Sequence, residues 1–290
     1  MATLTQHASW KAYTALAFGV LCIGLSAIFV KIAAVPGGVS AFYRVLFATI
    51  VLVPIWLWKG PARPAPATLR GTIIGGLFFA IDLVLWNTAL LLTGAGVATL
   101  LANNAPIWVG LIAWLFLHQR VGANFWVGLF LALAGMTLIV AAGGALVSGS
   151  GLGNLLAIIA SFFYALYLLT TQRVRASMDT LSFMAISMLA ATAILFVTNL
   201  VMQTPLNGYS LTSYVALLAL GLVSQVGGWL SINYALGQLP ATQVSVTLLA
   251  QAVVTTLVAI PILGELPAPL QVVGGAMVLG GIYWVYRGRG

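Results

Sequence analysis

The sequence predicts an all-α integral membrane protein of ten transmembrane helices, built as two inverted five-helix repeats, and three observations carry that expectation. Water cannot solvate the composition, ten runs are long enough to cross a bilayer, and one register recurs in both halves. Of the 290 residues, 62% are hydrophobic and only 5% charged, whereas a soluble domain carries about 25% charged residues. The 11 basic and 3 acidic side chains cannot coat a protein of this size, so the outer shell has to be lipid.

A hydrocarbon core of about 30 Å takes roughly 20 helical residues to cross. Cut at its Gly, Pro and charge clusters, the chain leaves ten such runs, at 12–34, 40–58, 71–92, 96–117, 122–143, 152–172, 181–201, 212–236, 241–263 and 269–286. The first could pass for a signal peptide, but its length and the nine comparable runs after it mark a retained span. Stretches such as Leu129 to Val140 are apolar on every side, where a barrel strand would alternate. Up-and-down helices instead bond each backbone group within its own segment, as lipid requires. Pro36, Gly37 and Gly38 form a turn between spans, and Pro106 and Pro261 are candidate kinks.

The net charge of +8 reports orientation rather than a nucleic-acid partner, because the cations lie singly or in small groups between the apolar runs. Lys11, Lys59, Arg63, Arg70, Arg120, Arg173, Arg175, Arg287 and Arg289 fall on one side, and only Lys31 and Arg44 toward the other. Both termini are therefore expected in the cytoplasm, with the chain in a cell inner membrane. Trp56 and Trp58 beside Lys59, and Trp284 and Tyr286 before Arg287, read as interfacial anchors. Cys22, the one cysteine, excludes an intramolecular disulfide, and with His7 and His118 it makes no zinc constellation. No cofactor or metal is expected.

At a constant shift of 146 positions, Asn87 meets Asn233, Ala89 meets Ala235, Leu90 meets Leu236, Ala95 meets Ala241 and Ala113 meets Ala259. Leu117, Gly128 and Gly135 likewise meet Leu263, Gly274 and Gly281. An ungapped register over three helices indicates duplication, with repeats at residues 1–145 and 146–290. An odd number of spans per repeat inverts the second copy. The loops agree: the gap holding Arg120 is basic, and its mate around Gly264, Glu265 and Leu266 is not. Inverted halves can exchange conformations around a central site, which favours a carrier over a channel.

Polar groups inside a span are expensive in lipid, so each is a candidate for a binding role. Asp82 is the only acid inside any of the ten runs. It could bind substrate or a proton, or form a structural ion pair with Arg44 or Lys31. Gln225, Trp229 and Asn233 recur every four residues and share one helical stripe. Its amides and indole would suit a zwitterion or a planar solute, or else glue helices together. Asn87, Asn103 and Asn104 add amides from spans three and four, and Gln243 and Gln251 from span nine. Trp86 adjoins Asp82 and Asn87, while Tyr164 and Tyr167 could form an aromatic wall. Ser26 could line a cavity or bond its own backbone. Gly71 and Gly75 make a Gly-x-x-x-Gly pair, and Gly274, Gly275, Gly280 and Gly281 a flat face, either for helix packing within the chain or for a dimer.

The chain has no phosphate-binding Gly-x-x-x-x-Gly-Lys loop, no Gly-x-Ser-x-Gly and no His-Glu-x-x-His, so neither direct use of ATP nor a membrane-embedded hydrolase is supported. A small-molecule carrier is the leading expectation, a monomer with a dimer as the alternative.

The stretch from Ala95 to Val140, with "NNAPIWVGLIAWLFLHQRVG" and "LALAGMTLIV", resembles the end of the EamA-type repeat of the drug/metabolite transporter superfamily. "ATQVSVTLLAQAVVTTLVAIPILGELPAPLQVVGGAMVLGGIYWV" resembles its second copy, and "FYRVLFA" at 42–48 is similar to the second-helix segment. Gly264 and Glu265 keep the Gly-Glu common after the fourth helix of a repeat, while His118 and Gln119 replace it in the first copy. Cys22 stands near the place of a Trp often seen in the first helix. The resemblance implies helices one to four and six to nine around a central cavity, with five and ten peripheral, and no catalytic chemistry. Within the superfamily the chain most resembles the YddG-type exporters of aromatic and other amino acids, which implies export of amino acids or similar metabolites. A drug or organic-cation carrier of the same superfamily is the alternative.

Overall fold

The computed structural model describes residues 10–60, 63–93, 95–142, 150–263 and 268–287. Glu265 and Arg289 lie outside these described residues. Ten helical spans among them are long and apolar enough to cross a membrane: Trp10–Ala33, Gly37–Trp58, Pro66–Ala89, Val97–Leu115, Ala123–Ala142, Gly151–Arg175, Thr180–Val201, Leu211–Leu236, Ala241–Val258 and Pro269–Arg287. Their outer faces carry large apolar side chains such as Ile50, Phe130, Val197 and Val272, each more than half exposed, which only a hydrocarbon solvent makes favourable. Hydroxyls within the spans bond back to carbonyls of their own helices, as Thr49 does to Val45 and Thr192 to Met188.

The pattern of packing repeats itself across the two halves. The third span packs on the sixth as the eighth does on the first, and the fourth packs on the sixth as the ninth does on the first. Spans two and seven, four and nine, and five and ten pair with their own counterparts. The last of these pairs is the tightest statement of the inversion. A Cβ placed on Gly128 would meet the Gly281 carbonyl oxygen at 2.5 Å, and one on Gly135 would meet that of Gly274 at 2.4 Å. Contacts that advance along one helix and retreat along the other make the pair antiparallel. Gly128 and Gly135 are the 146-shift mates of Gly274 and Gly281, so each half supplies the same two glycines to one self-complementary seam. The glycine face of the tenth span is thus occupied within the chain, and Gly71 and Gly75 likewise face Val174 and Phe183 of neighbouring spans.

Three spans expected as continuous helices are interrupted near mid-membrane. The first breaks at Leu25, between Trp10–Gly24 and Ser26–Ala33. The fourth breaks between Ala95–Ala102 and Ala105–Leu115, and Pro106 opens its second half instead of kinking a continuous helix. The ninth breaks between Ala241–Thr247 and Ala250–Leu263. The breaks in spans four and nine fall within one residue of equivalence at the 146 shift. In the eighth span, Leu220–Trp229 winds as a π-helix, a geometry common at functional sites.

Two anchors read from the sequence are tied inward instead. Trp58 is 87% exposed at the span end, but Trp56 donates its Nε1–H to Ser182 Oγ at 2.9 Å. Tyr286 hydrogen-bonds Thr247 at 2.9 Å, joining spans nine and ten. A buried ring N–H or hydroxyl takes a partner within the protein when one is in reach.

Candidate functional site

Arg44 lies two turns into the second span, about 10 Å from Gly37. Its Nε–H donates to Gln225 Oε1 across the bundle at 2.6 Å. Gln225 is fully buried and sends its own Nε2–H to the sulfur of Met188 at 3.0 Å. The guanidinium carbon stands 6.0 Å from the centre of the Phe79 ring, within reach of a cation–π attraction. Asp82 follows Phe79 by one turn on the third span and shares the electrostatic field of Arg44 and Tyr164. Among the described residues the two charges do not close a salt bridge: Gln225, not Asp82, accepts from Arg44. Lys31 is exposed at the end of the first span and is no partner for the acid.

Beneath this pair lies a layer of rings. Trp229 meets Phe79 at 5.2 Å, Tyr167 at 5.3 Å and Tyr164 at 5.8 Å, each nearly edge to face, the arrangement that ring quadrupoles favour. Phe79 and Tyr167 lie 4.8 Å apart. Phe79, Tyr167, Trp229 and the adjacent Phe183 are no more than 4% exposed. Arg44, Asp82, Trp86, Tyr164, Ser26 and Gln251 are half-buried. The ring layer is thus packed shut on the side nearer the basic end of the molecule, while the charged side chains above it keep partial exposure. The indole N–H of Trp229 has no hydrogen-bond partner, which leaves one unused donor in the layer.

Asn233, the last member of the eighth-span stripe, lies below the rings. It donates to Tyr167 Oη at 2.9 Å and to the Met184 sulfur at 2.7 Å, and its carbonyl accepts from Arg175, which also donates to the Met178 carbonyl. In this conformation Asn233 is fully buried and joins helices. Its repeat mate Asn87 sits at the opposite end, buried against Gly37, where a Cβ would approach to 2.7 Å.

The helix breaks meet one another. Gln251 donates to Asn103 Oδ1 at 2.9 Å, tying the interruption in span nine to that in span four. A Cβ on Gly24 would meet the Gln251 carbonyl at 3.3 Å, and Thr255 donates to the Gly24 carbonyl at 2.7 Å. Ser224 donates to the Cys22 carbonyl at 3.1 Å. Side chains of spans eight and nine thus satisfy carbonyls at the break in span one, as lipid demands of any unwound segment. Asn103 and Asn104 also bond their own preceding carbonyls, so part of their amide capacity is structural. Ser26 begins the second half-helix of span one, with its hydroxyl unpartnered.

Sequence reasoning missed Phe79, Met188, Ser224 and Thr255. Phe79 carried a signal, its one-turn spacing from Asp82; the others gave none, because their roles depend on spans remote in the chain. A separate cleft of about 350 Å³ opens at the basic end, between Arg120 and Asn124 on one side and Thr242 and Gln243 on the other.

A model of the family described as EamA-like transporters matches the chain twice, over residues 10–141 and 151–287. An uncharacterized transporter of Bacillus subtilis (strain 168), YdfC, is 25% identical over 214 residues, covering 74% of this chain and 70% of that protein. A probable terminal-alkyne amino-acid exporter of Streptantibioticus cattleyicolor is 28% identical over 252 residues, covering 84% and 82%. A solved crystal structure superposes with a TM-score of 0.82 over 96% of this chain and 99% of that one, at 19% identity, which establishes a shared fold.

Proposed function

The chain belongs to the EamA-like transporter family, and from that premise we propose that it exports amino acids across the inner membrane by alternating access. The observation that carries this reading is the convergence of interrupted spans from both repeats, Gly24, Asn103 and Gln251, in a bundle whose centre also holds a cation, Arg44, an acid, Asp82, and a layer of aromatic rings. Discontinuous helices at the interface of inverted repeats are where secondary carriers hold their solutes. The likeness to a relative named as a probable terminal-alkyne amino-acid exporter supports the choice of solute.

On this reading Arg44, Asp82, Trp86, Tyr164 and the edge of Trp229 face the solute, Gln225 supports Arg44 from behind, and the layer of Phe79, Tyr167, Trp229 and Phe183 is the barrier on the cytoplasmic side. The positive-inside pattern supports that assignment of sides and a cytoplasmic place for both termini. Rocking one repeat against the other would part the rings and close the opposite mouth around Gly37 and Asn87. The cleft beside Arg120 is then the approach from the cytoplasm. One chain contains every part of this path, so a monomer suffices. Asp82 is the group in the cavity able to carry a proton, which would couple export to the pH gradient.

The test is uptake into proteoliposomes of labelled amino acids, drug cations and sugars at two imposed pH gradients. Saturable amino-acid flux is expected. Saturable flux of an organic cation with none of any amino acid would favour the drug-carrier alternative.

A further inference from the structure

We propose that Gln225 is a positioning residue that holds Arg44 away from Asp82, so that the two stand as separate poles for the carboxylate and the ammonium of one zwitterionic solute. The inference rests on the export reading above and names the charge class that its site selects.

Opposite charges in a low-dielectric interior attract strongly, far more than on a wet surface. An arginine and an aspartate that interact across two neighbouring packed spans and do not join must be held apart by something. The structure supplies the restraint. Gln225 Oε1 takes the Arg44 Nε–H at 2.6 Å, one of five N–H groups on the guanidinium. The amide cannot turn over, because its nitrogen would then face another donor; in the observed orientation that nitrogen is engaged with Met188 at 3.0 Å. Phe79, the repeat-equivalent of Gln225 at the 146 shift, flanks the same guanidinium with its ring at 6.0 Å. Equivalent positions of the two halves thus grip one cation, one by an amide and one by a ring.

Among the described residues, neither the Nη groups of Arg44 nor the Asp82 carboxylate has a hydrogen-bond partner. A cationic solute would meet Asp82 favourably but face Arg44, and an anionic solute the reverse. A molecule bearing an ammonium and a carboxylate on the same carbon satisfies both poles and adds no net charge to the interior, which discriminates by repulsion as well as attraction. Its side chain would point to the rings below, where Trp229 keeps an unused N–H.

The experiment uses the full chain in proteoliposomes, with uptake of labelled phenylalanine competed by phenethylamine, which has the ammonium alone, and 3-phenylpropionate, which has the carboxylate alone. Wild type is expected to bind phenylalanine at least roughly tenfold tighter than either analogue, as sites that pair buried polar groups reject partners lacking one. Gln225→Met, close in shape but without the acceptor, is expected to let Arg44 fall onto Asp82, weakening phenylalanine roughly tenfold and erasing the preference over both analogues. Gln225→Glu keeps an acceptor for Arg44 and controls for folding; by neutralising the guanidinium it is expected to shift the ranking toward phenethylamine. Wild-type affinity and ranking in Gln225→Met overturn the positioning role while leaving amino-acid export intact. Equal competition by the analogues in wild type overturns the two-pole site. A wild type that carries phenethylamine but no amino acid overturns this proposal and the export reading together.

Discussion

The seam between spans five and ten and the centre of the bundle are built from the same duplicated sequence to opposite ends. At the seam, repeat mates do the same work: Gly128 and Gly135 receive Gly281 and Gly274, backbone to backbone. At the centre they diverge. Asp82 has Gly228 as its mate, Trp229 has Leu83, and Gln225 has Phe79. Duplication supplies a scaffold that can be inverted, and the proposed site lies where the copies stop matching. A symmetric seam needs only small residues and shape. A site that distinguishes the two ends of a solute needs two unlike charges, and Arg44 and Asp82 both come from the first repeat, where their mates in the second are Ala190 and Gly228.

The comparison can be broken at either region. The largest effect is expected at the centre: Arg44→Ala should abolish saturable amino-acid uptake in proteoliposomes while the protein still elutes as a single folded species. Asp82→Asn should reduce the rate at least about tenfold and flatten its response to an imposed pH gradient, since one lost charge contact of this kind costs about 1.4 kcal/mol or more. An unchanged rate and pH response would make Asp82 architectural.

The seam should answer differently. Gly135→Leu forces a side chain against the Gly274 carbonyl, where even a Cβ has only 2.4 Å. Overpacking of this kind costs about 1–3 kcal/mol, read as a lower melting temperature in detergent, with uptake per folded molecule retained. Loss of uptake without loss of stability would mean that the seam moves during transport. A smaller change is expected from Thr255→Val, which removes the hydrogen bond to Gly24 at the break in span one. It should cost about 1 kcal/mol and slow turnover more than it weakens binding, measured as a fall in maximal rate at constant half-saturation.

The smallest effect lies outside both regions, at the head of the seventh span. Asp179 caps it by accepting from the Ser182 N–H at 3.0 Å. Partial burial pushes its carboxyl up, but the bonds from Ser182 and the Arg175 charge outweigh this and hold it below the ordinary aspartate range. Because the folded form binds its proton less readily, the cap's contribution is present above that range and is lost as pH falls through it. Asp179→Ala should lower the melting temperature slightly at neutral pH, by a cap worth about 1 kcal/mol, and not at all in strong acid.

The architecture was legible because lipid imposes a one-dimensional rule: a span must be apolar, helical and about 20 residues long wherever it sits. Asp82 and the stripe of Gln225, Trp229 and Asn233 stood out for the same reason, as polar exceptions to that rule. What each exception touches was not legible. Asn233 and Gln225 lie two turns apart on one stripe, yet Asn233 is fastened to Tyr167 and Met184 below the rings while Gln225 faces Arg44 above them. The breaks at Leu25, Asn103 and Leu248 left no sign either, since Asn103 and Gln251 join only after remote spans have packed.

By itself, then, the sequence determined the solvent, the number of spans, their alternation and the duplication, because these follow from hydropathy and periodicity along a single chain. The tertiary structure alone decided which charge faces which amide, where helices unwind, and which rings pack together at the centre. Those depend on contacts between helices far apart in sequence, and a polar group in lipid is committed only by the partner that packing brings to it.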